Sequence, residues 1–197
     1  MQVILIRHGS TAGNLEHRYV GSTDEPLTEN ATEQLRGRRS LYPEPDFLFV
    51  SPMKRCRQTA ELLFSETEQI VSEGLKECAF GAFEYKNYME LQGNADYQAW
   101  RDSGGTLPFP GGESRAEFAD RCCRAFEECC HSALEQNCET VTFVVHGGTI
   151  MAVMERFARP QKGYFDWQVK NAEGFCGVLQ VAKCTEAAFF ISDVKKI

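Results

Sequence analysis

Three short apolar runs, each ending abruptly in polar residues, constrain the fold of this chain more than any other feature. Val3 to Ile6 stops at Arg7-His8-Gly9, Phe47 to Val50 at Ser51-Pro52, and Val141 to Val145 at His146-Gly147-Gly148. Such continuous runs suit strands buried on both faces, as in parallel sheets. Phe175 to Val181 and Ala187 to Ile191 read as later strands. Between them, spaced apolar residues predict helices over Thr28 to Leu41, Met53 to Phe64, Asn94 to Trp100, and Ser114 to about Asn137, with a further helix-like stretch after His146-Gly147-Gly148. The alternation predicts an α/β fold, a three-layer, mostly parallel sheet with helices on both faces and its ligand site at the carboxyl ends of strands.

A length of 197 residues suits one domain. Residues 102–112 are dense in glycine and proline and read as a loop, and with the segment before them they predict a cap or lid over residues 75–113. Twenty-one Lys and Arg stand against 28 Asp and Glu, a net charge of -7 that opposes binding to nucleic acid or an anionic membrane. An anionic substrate therefore needs a local basic pocket. The opening apolar run stops at Arg7, too short for a signal-peptide core or a membrane span, and the expectation is a cytoplasmic protein, monomer or homodimer. Nine scattered cysteines predict reduced thiols. The adjacent pairs Cys122-Cys123 and Cys129-Cys130 point about 100° apart on a helix, poor metal clamps. With Phe118, Phe126 and Ala133 at helical spacing, they read as small buried hydrophobes.

Four elements carry chemistry. Arg7-His8-Gly9 sets a cation and an imidazole at a strand end, and His146-Gly147-Gly148 supplies a second imidazole at another, so two imidazoles can flank one pocket. Arg55 falls in the first turn of a helix, where the partial positive charge disfavours cations; it makes sense there if it helps the helix end hold a phosphate. Arg57 is a second candidate partner for such a phosphate, with a solvated surface role as the alternative. Glu77, among apolar neighbours, is a candidate general acid with a raised pKa.

Together these elements resemble the histidine phosphatase superfamily, the phosphoglycerate mutase-like enzymes, over nearly the whole chain. Further matching positions are Thr11, Asn14, Gly21, Asp24, Pro26-Leu27-Thr28, Ser51-Pro52, Thr59-Ala60, Phe80-Gly81, Glu84, Pro110 and Gly112-Glu113-Ser114. The resemblance implies that His8 is the nucleophile of a phosphohistidine mechanism and Glu77 the proton donor. Arg7, Arg55 and a protonated His146 would surround the phosphoryl group in place of metal ions, with Asn14, Thr11, Gly21 and Gly147 in substrate binding. No metal or cofactor is implied, and the partner is a small phosphate monoester. Other phosphatase chemistries lack their spacings: no cysteine precedes an arginine by six positions, and no two aspartates stand two apart.

Three activities fit this resemblance: phosphatase, phosphoglycerate mutase, and a non-catalytic phospho-ligand binder. Every catalytic position is retained, which disfavours the binder, and the short chain leaves little room for mutase insertions. Glu77, Phe80-Gly81 and Pro110 to Ser114 look most like α-ribazole phosphatases of cobalamin synthesis, while other short relatives act on sugar phosphates or phosphoglycolate. Ser10 and Tyr85 depart from the family pattern, which commonly has Glu or Gln and Gly there. Phe83, Tyr85, Tyr88, Tyr97 and Trp100 are aromatic enough to stack on a ring, though cap packing is the expected role for most. His17 and His131 are expected in surface or structural duty.

Overall fold

Alternation along the strands sorts their side chains onto two layers. The computed structural model describes residues 1–181 and 189–197. Its six-stranded sheet comprises β1 (Gln2–Arg7), β2 (Phe47–Val50), β3 (Gln69–Val71), β4 (Thr140–Val145), β5 (Gly174–Val181) and β6 (Phe189–Lys196), in the order β3-β2-β4-β1-β5-β6. Val3 and Leu5 of β1, Phe49 of β2 and Val141, Phe143 and Val145 of β4 join one buried cluster. Ile4, Ile6, Leu48, Val50 and Val144 join the cluster on the other face. The two-residue period of a strand thus gives each helical layer its own core.

The first cluster is covered by α5 (Arg115–Glu135) and α6 (Gly147–Phe157), the second by α2 (Glu29–Arg38) and α3 (Lys54–Leu63). Two shorter helices, α1 (Ala12–Leu15) and α4 (Ala95–Asp102), complete the set. Helix α5 begins with a capping box: the Glu117 N–H donates to Ser114 Oγ, and the Ser114 N–H to the Glu117 carboxylate. Cys122, Cys123, Cys129 and Cys130 are buried with Phe118, Phe126 and Ala133. Burial pushes the Cys122, Cys123 and Cys129 thiols up to about 12, so they pack as neutral hydrophobes.

Strand pairing is parallel for β1–β4, β2–β4 and β2–β3, and antiparallel for β1–β5 and β5–β6. The later strands therefore form an antiparallel edge hairpin, an orientation that residue period alone does not encode. Ala187, at the start of the expected last strand, lies outside the described residues. The three-residue β3 was not anticipated, being too short for a periodic signal. No helix among the described residues is long and apolar enough to cross a membrane.

Residues 75–113 hold a 3-10 turn at Gly81–Phe83, helix α4 and the predicted loop. Phe80, Phe83, Tyr97, Trp100 and Phe109 form an aromatic group around Tyr19, with ring centroids 5.2–6.5 Å from that of Tyr19. Leu75, Phe83, Leu91, Tyr97 and Phe109 belong to the same buried cluster as α5 and α6, so this segment shares the main core. Gly81, at φ +52, lets two loops touch: a Cβ there would lie 2.2 Å from the Pro110 carbonyl oxygen.

Gly174 sets the approach of β5 to β1, since a Cβ there would fall 1.9 Å from the Leu5 carbonyl oxygen. Gly174→Ala should cost roughly 2–3 kcal/mol and lower Tm by about 4–12 °C in a chain of this size. Gly37→Ala, in α2 with nothing within 4 Å of the new methyl group, should leave Tm unchanged or raise it slightly. Thermal denaturation of the two variants checks the contrast.

Candidate active site

The parallel pair β1–β4 ends with Arg7 opposite Val145, which brings the two following histidines together. Their ring centroids lie 5.2 Å apart, edge to face. The His8 N–H donates to the Val145 carbonyl at 3.0 Å, and the His8 carbonyl accepts from Asn171 Nδ2, also at 3.0 Å. The Gly9 N–H donates to Thr59 Oγ1, and the Thr59 hydroxyl to the Arg55 carbonyl, so α3 holds the turn after His8. These bonds fix the backbone of the residue whose side chain is in question.

The hydrogen bonds also assign the tautomers. His8 Nδ1 lies 2.7 Å from the Gly9 carbonyl oxygen, which only accepts, so Nδ1 carries the proton and Nε2 keeps a lone pair. Arg55 Nε donates to His146 Nδ1 at 3.3 Å, leaving the proton on Nε2, which donates to Ser51 Oγ at 2.7 Å. Burial, followed by the neighbouring charge of Arg55, holds both imidazoles well below their usual pKa. This corrects the expectation of a protonated His146: two guanidinium groups and complete burial leave no favourable place for a third positive charge.

Arg55 is fully buried and uses four of its five N–H donors within the protein. Besides His146 it donates to the carbonyls of Thr23, Val20 and Gly21, clamping the loop after α1. Arg7 Nη1 donates to the Val169 carbonyl, but its buried Nε has no acceptor among the described residues. A buried, charged donor left without a partner is costly, and a ligand oxygen would satisfy it. Gly147 permits this placement, since a Cβ there would sit 3.3 Å from that Nε. Glu77 accepts from the N–H groups of Cys78 and Gly148, and burial outweighs these bonds to raise its pKa. It can therefore hold a proton where exposed carboxylates are ionised.

A cavity of about 840 Å³ opens beside this group, with Arg7, Asn14, Glu77, Gly147 and Gly148 on its wall. His8, Arg55 and His146 are buried next to it rather than on the wall, His8 keeping 3% exposure. Asn14 Oδ1 accepts from Asn171 Nδ2 at 3.0 Å, a link between the cavity wall and the His8 loop. Asn171 carried no motif by which sequence alone could find it.

Two other expectations change. Thr11 is fully buried, and its hydroxyl caps α1 by accepting from the Asn14 N–H instead of facing the cavity. Gly21 is also away from the wall; its N–H donates to Glu84, and a Cβ would fall 1.9 Å from the Cys78 carbonyl oxygen. His17 is exposed, as expected, and also borders the cavity, where the chain turns back after α1 at φ +55. His131 packs against the Phe189 ring at the surface. Of the five cap aromatics, only Trp100 lines the cavity. Tyr85 takes φ +57, which explains why glycine suits that position, and its hydroxyl donates to Glu25.

The model of the histidine phosphatase superfamily (branch 1) matches residues 3–180. The chain belongs to that superfamily. It is 33% identical over 162 residues, 77% of this chain and 73% of the other, to 2,3-bisphosphoglycerate-dependent phosphoglycerate mutase 2 of Gloeobacter violaceus. The crystal structure of a phosphoglycerate mutase from Thermus thermophilus matches with a TM-score of 0.71 at 28% identity, over 90% of this chain and 92% of that one. The α-ribazole phosphatase of Shigella flexneri matches with a TM-score of 0.78 over 93% and 92%, at 21% identity, a likeness of fold. As a superfamily member the chain is an enzyme of the phosphatase and mutase kind.

The buried histidines have a stability consequence. A histidine whose folded pKa lies below its unfolded value near 6.5 takes up its proton only on unfolding, so stability falls as pH drops below about 6.5. Tm should fall between pH 7 and pH 5, and less steeply in a His8→Gln, His146→Gln double variant. Parallel Tm curves for the two proteins would contradict the neutral, buried assignment.

Proposed function

We propose that this chain is a phosphomonoesterase that hydrolyses a small phosphate monoester through a phosphohistidine at His8. The observation that carries the reading is the tautomer of His8: its Nδ1–H is taken up by the Gly9 carbonyl, which leaves the Nε2 lone pair available. Nε2 forms a bond to phosphorus as the ester P–O bond breaks, and Glu77 gives its proton to the departing alkoxide. The Glu77 carboxylate then takes a proton from water, whose oxygen attacks phosphorus; the N–P bond breaks and neutral His8 returns. Arg7, with its unsatisfied Nε–H, and Arg55 hold the phosphoryl oxygens, and Asn14 and Gly147 border them. Thr11 and Gly21 act through the loops they shape. The cycle uses no metal ion, and residues 75–113 serve as the cap.

The cavity supports hydrolysis, since 840 Å³ exceeds what a three-carbon ester fills and admits water beside the intermediate. The mutase names of the Gloeobacter and Thermus proteins favour a second reading, in which the phosphoryl group passes to a second hydroxyl of the substrate. α-Ribazole 5'-phosphate is the substrate that the sequence pattern favours among phosphatases.

Phosphate release should be measured with EDTA-treated protein on α-ribazole 5'-phosphate, phosphoglycolate, sugar phosphates and 3-phosphoglycerate, with isomerised product assayed in parallel. Release is expected; isomerisation without release would make the chain a mutase. His8→Ala should abolish turnover with Tm retained. Glu77→Gln should slow alkyl esters about 100-fold or more and activated aryl esters far less, as loss of a general acid requires. Equal losses on both ester classes would remove Glu77 from that role.

A further inference from the structure

The cavity wall is cationic in a chain of net charge -7: Arg7, Arg18, Arg115, Lys170 and Lys196 lie on it against a single carboxyl group, Glu77. Most of these cations have an assignment. Arg18 pairs with Glu16 at 2.6 Å and Glu90 at 2.7 Å, Lys196 pairs with Glu173 at 2.8 Å, and Lys170 helps hold the same Glu173 in its ionised form. Arg7 belongs to the phosphoryl end.

Arg115 differs from them. It opens α5, where the helix dipole disfavours a cation, and its guanidinium lies over the Tyr164 ring at 4.9 Å. Its nearest carboxylate oxygen, Glu155 Oε1, is 3.8 Å away and already accepts the Tyr164 N–H at 3.1 Å. The guanidinium is thus oriented on the cavity wall without a hydrogen-bonded counter-charge among the described residues.

Tyr164 also relates Arg115 to the reaction. Its hydroxyl donates to the Gly148 carbonyl at 3.4 Å, and the Gly148 N–H donates to Glu77 at 3.1 Å. In an in-line displacement the acid stands on the side of the leaving oxygen, opposite the attacking imidazole. Glu77, Gly148, Tyr164 and Arg115 line one cavity, so an alcohol leaving on the Glu77 side has Tyr164 and Arg115 on the wall beside it.

We propose that Arg115 is a specificity-determining residue that selects phosphate monoesters whose alcohol carries a second anionic group, a carboxylate or another phosphate. The assignment rests on the reading of His8 and Glu77 given above. It sets this substrate class against α-ribazole 5'-phosphate, which the sequence pattern alone favours and whose alcohol is neutral.

The test compares 3-phosphoglycerate with glycerol 3-phosphate, which differ by carboxylate against hydroxymethyl, in the unmodified protein, R115M and R115K. Methionine keeps an apolar stem over Tyr164 and removes the charge. Both esters are followed by turnover and by calorimetric titration, with Tm as the folding control. The unmodified protein should favour 3-phosphoglycerate. R115M should raise its KM and Kd about tenfold or more, with kcat within about twofold and glycerol 3-phosphate unaffected, and R115K should recover part of the loss. No preference in the unmodified protein, or equal weakening of both esters by R115M, overturns the assignment. Selective loss of binding with neither ester hydrolysed would retain Arg115 and overturn the hydrolytic reading instead.

Discussion

Two guanidinium groups and two imidazoles occupy one buried region at the ends of β1 and β4 with a single carboxyl group, Glu77, and the remaining chemistry follows from that imbalance. Positive charge in low dielectric repels further protonation, so both imidazoles are neutral and each is held in one tautomer by a fixed partner. Neutrality leaves His8 Nε2 the free lone pair that its proposed role as nucleophile requires. The same cations would favour an anionic ligand, and burial raises the pKa of Glu77. The neutral imidazoles and the cationic site share one electrostatic arrangement, while the raised pKa of Glu77 comes from burial, against the pull of Arg55 and Arg7.

The fold maintains this arrangement through backbone contacts that tolerate little change. The parallel register of β1 on β4 brings His8 beside His146, and Gly174 lets β5 close against β1. Arg55 joins the site to the loop after α1 by donating to three carbonyls, which makes it a structural clamp as well as a charge. The aromatic group around Tyr19 extends the core of α5 and α6 into residues 75–113, so one side of the cavity is built on the main core.

Strand runs and helices that are strongly patterned were legible in the sequence. The three apolar runs ending at Arg7, Ser51 and His146 correspond to β1, β2 and β4, and the spaced apolar residues from Phe118 to Ala133 form the buried face of α5. His8, Arg55 and His146 stood out as candidates because unusual residues follow strand ends or open a helix, and Glu77 because it sits among apolar neighbours. Strand direction was not legible for β5 and β6, since orientation leaves no mark in the residue period. Thr11 and Gly21 were misplaced for a related reason: which loop residues face a cavity depends on caps and close backbone approaches, such as the Thr11 cap of α1. The charge state of His146 could not be read either, because it depends on distances to Arg7 and Arg55 that only the folded chain defines.

Rapid-quench mass spectrometry of the enzyme with a turned-over phosphate monoester tests the central claim most directly. The account predicts a transient, acid-labile phosphoryl adduct on a peptide containing His8, absent from the His8→Ala protein. Turnover with no adduct at any quench time, or an adduct on a residue other than His8, would contradict it.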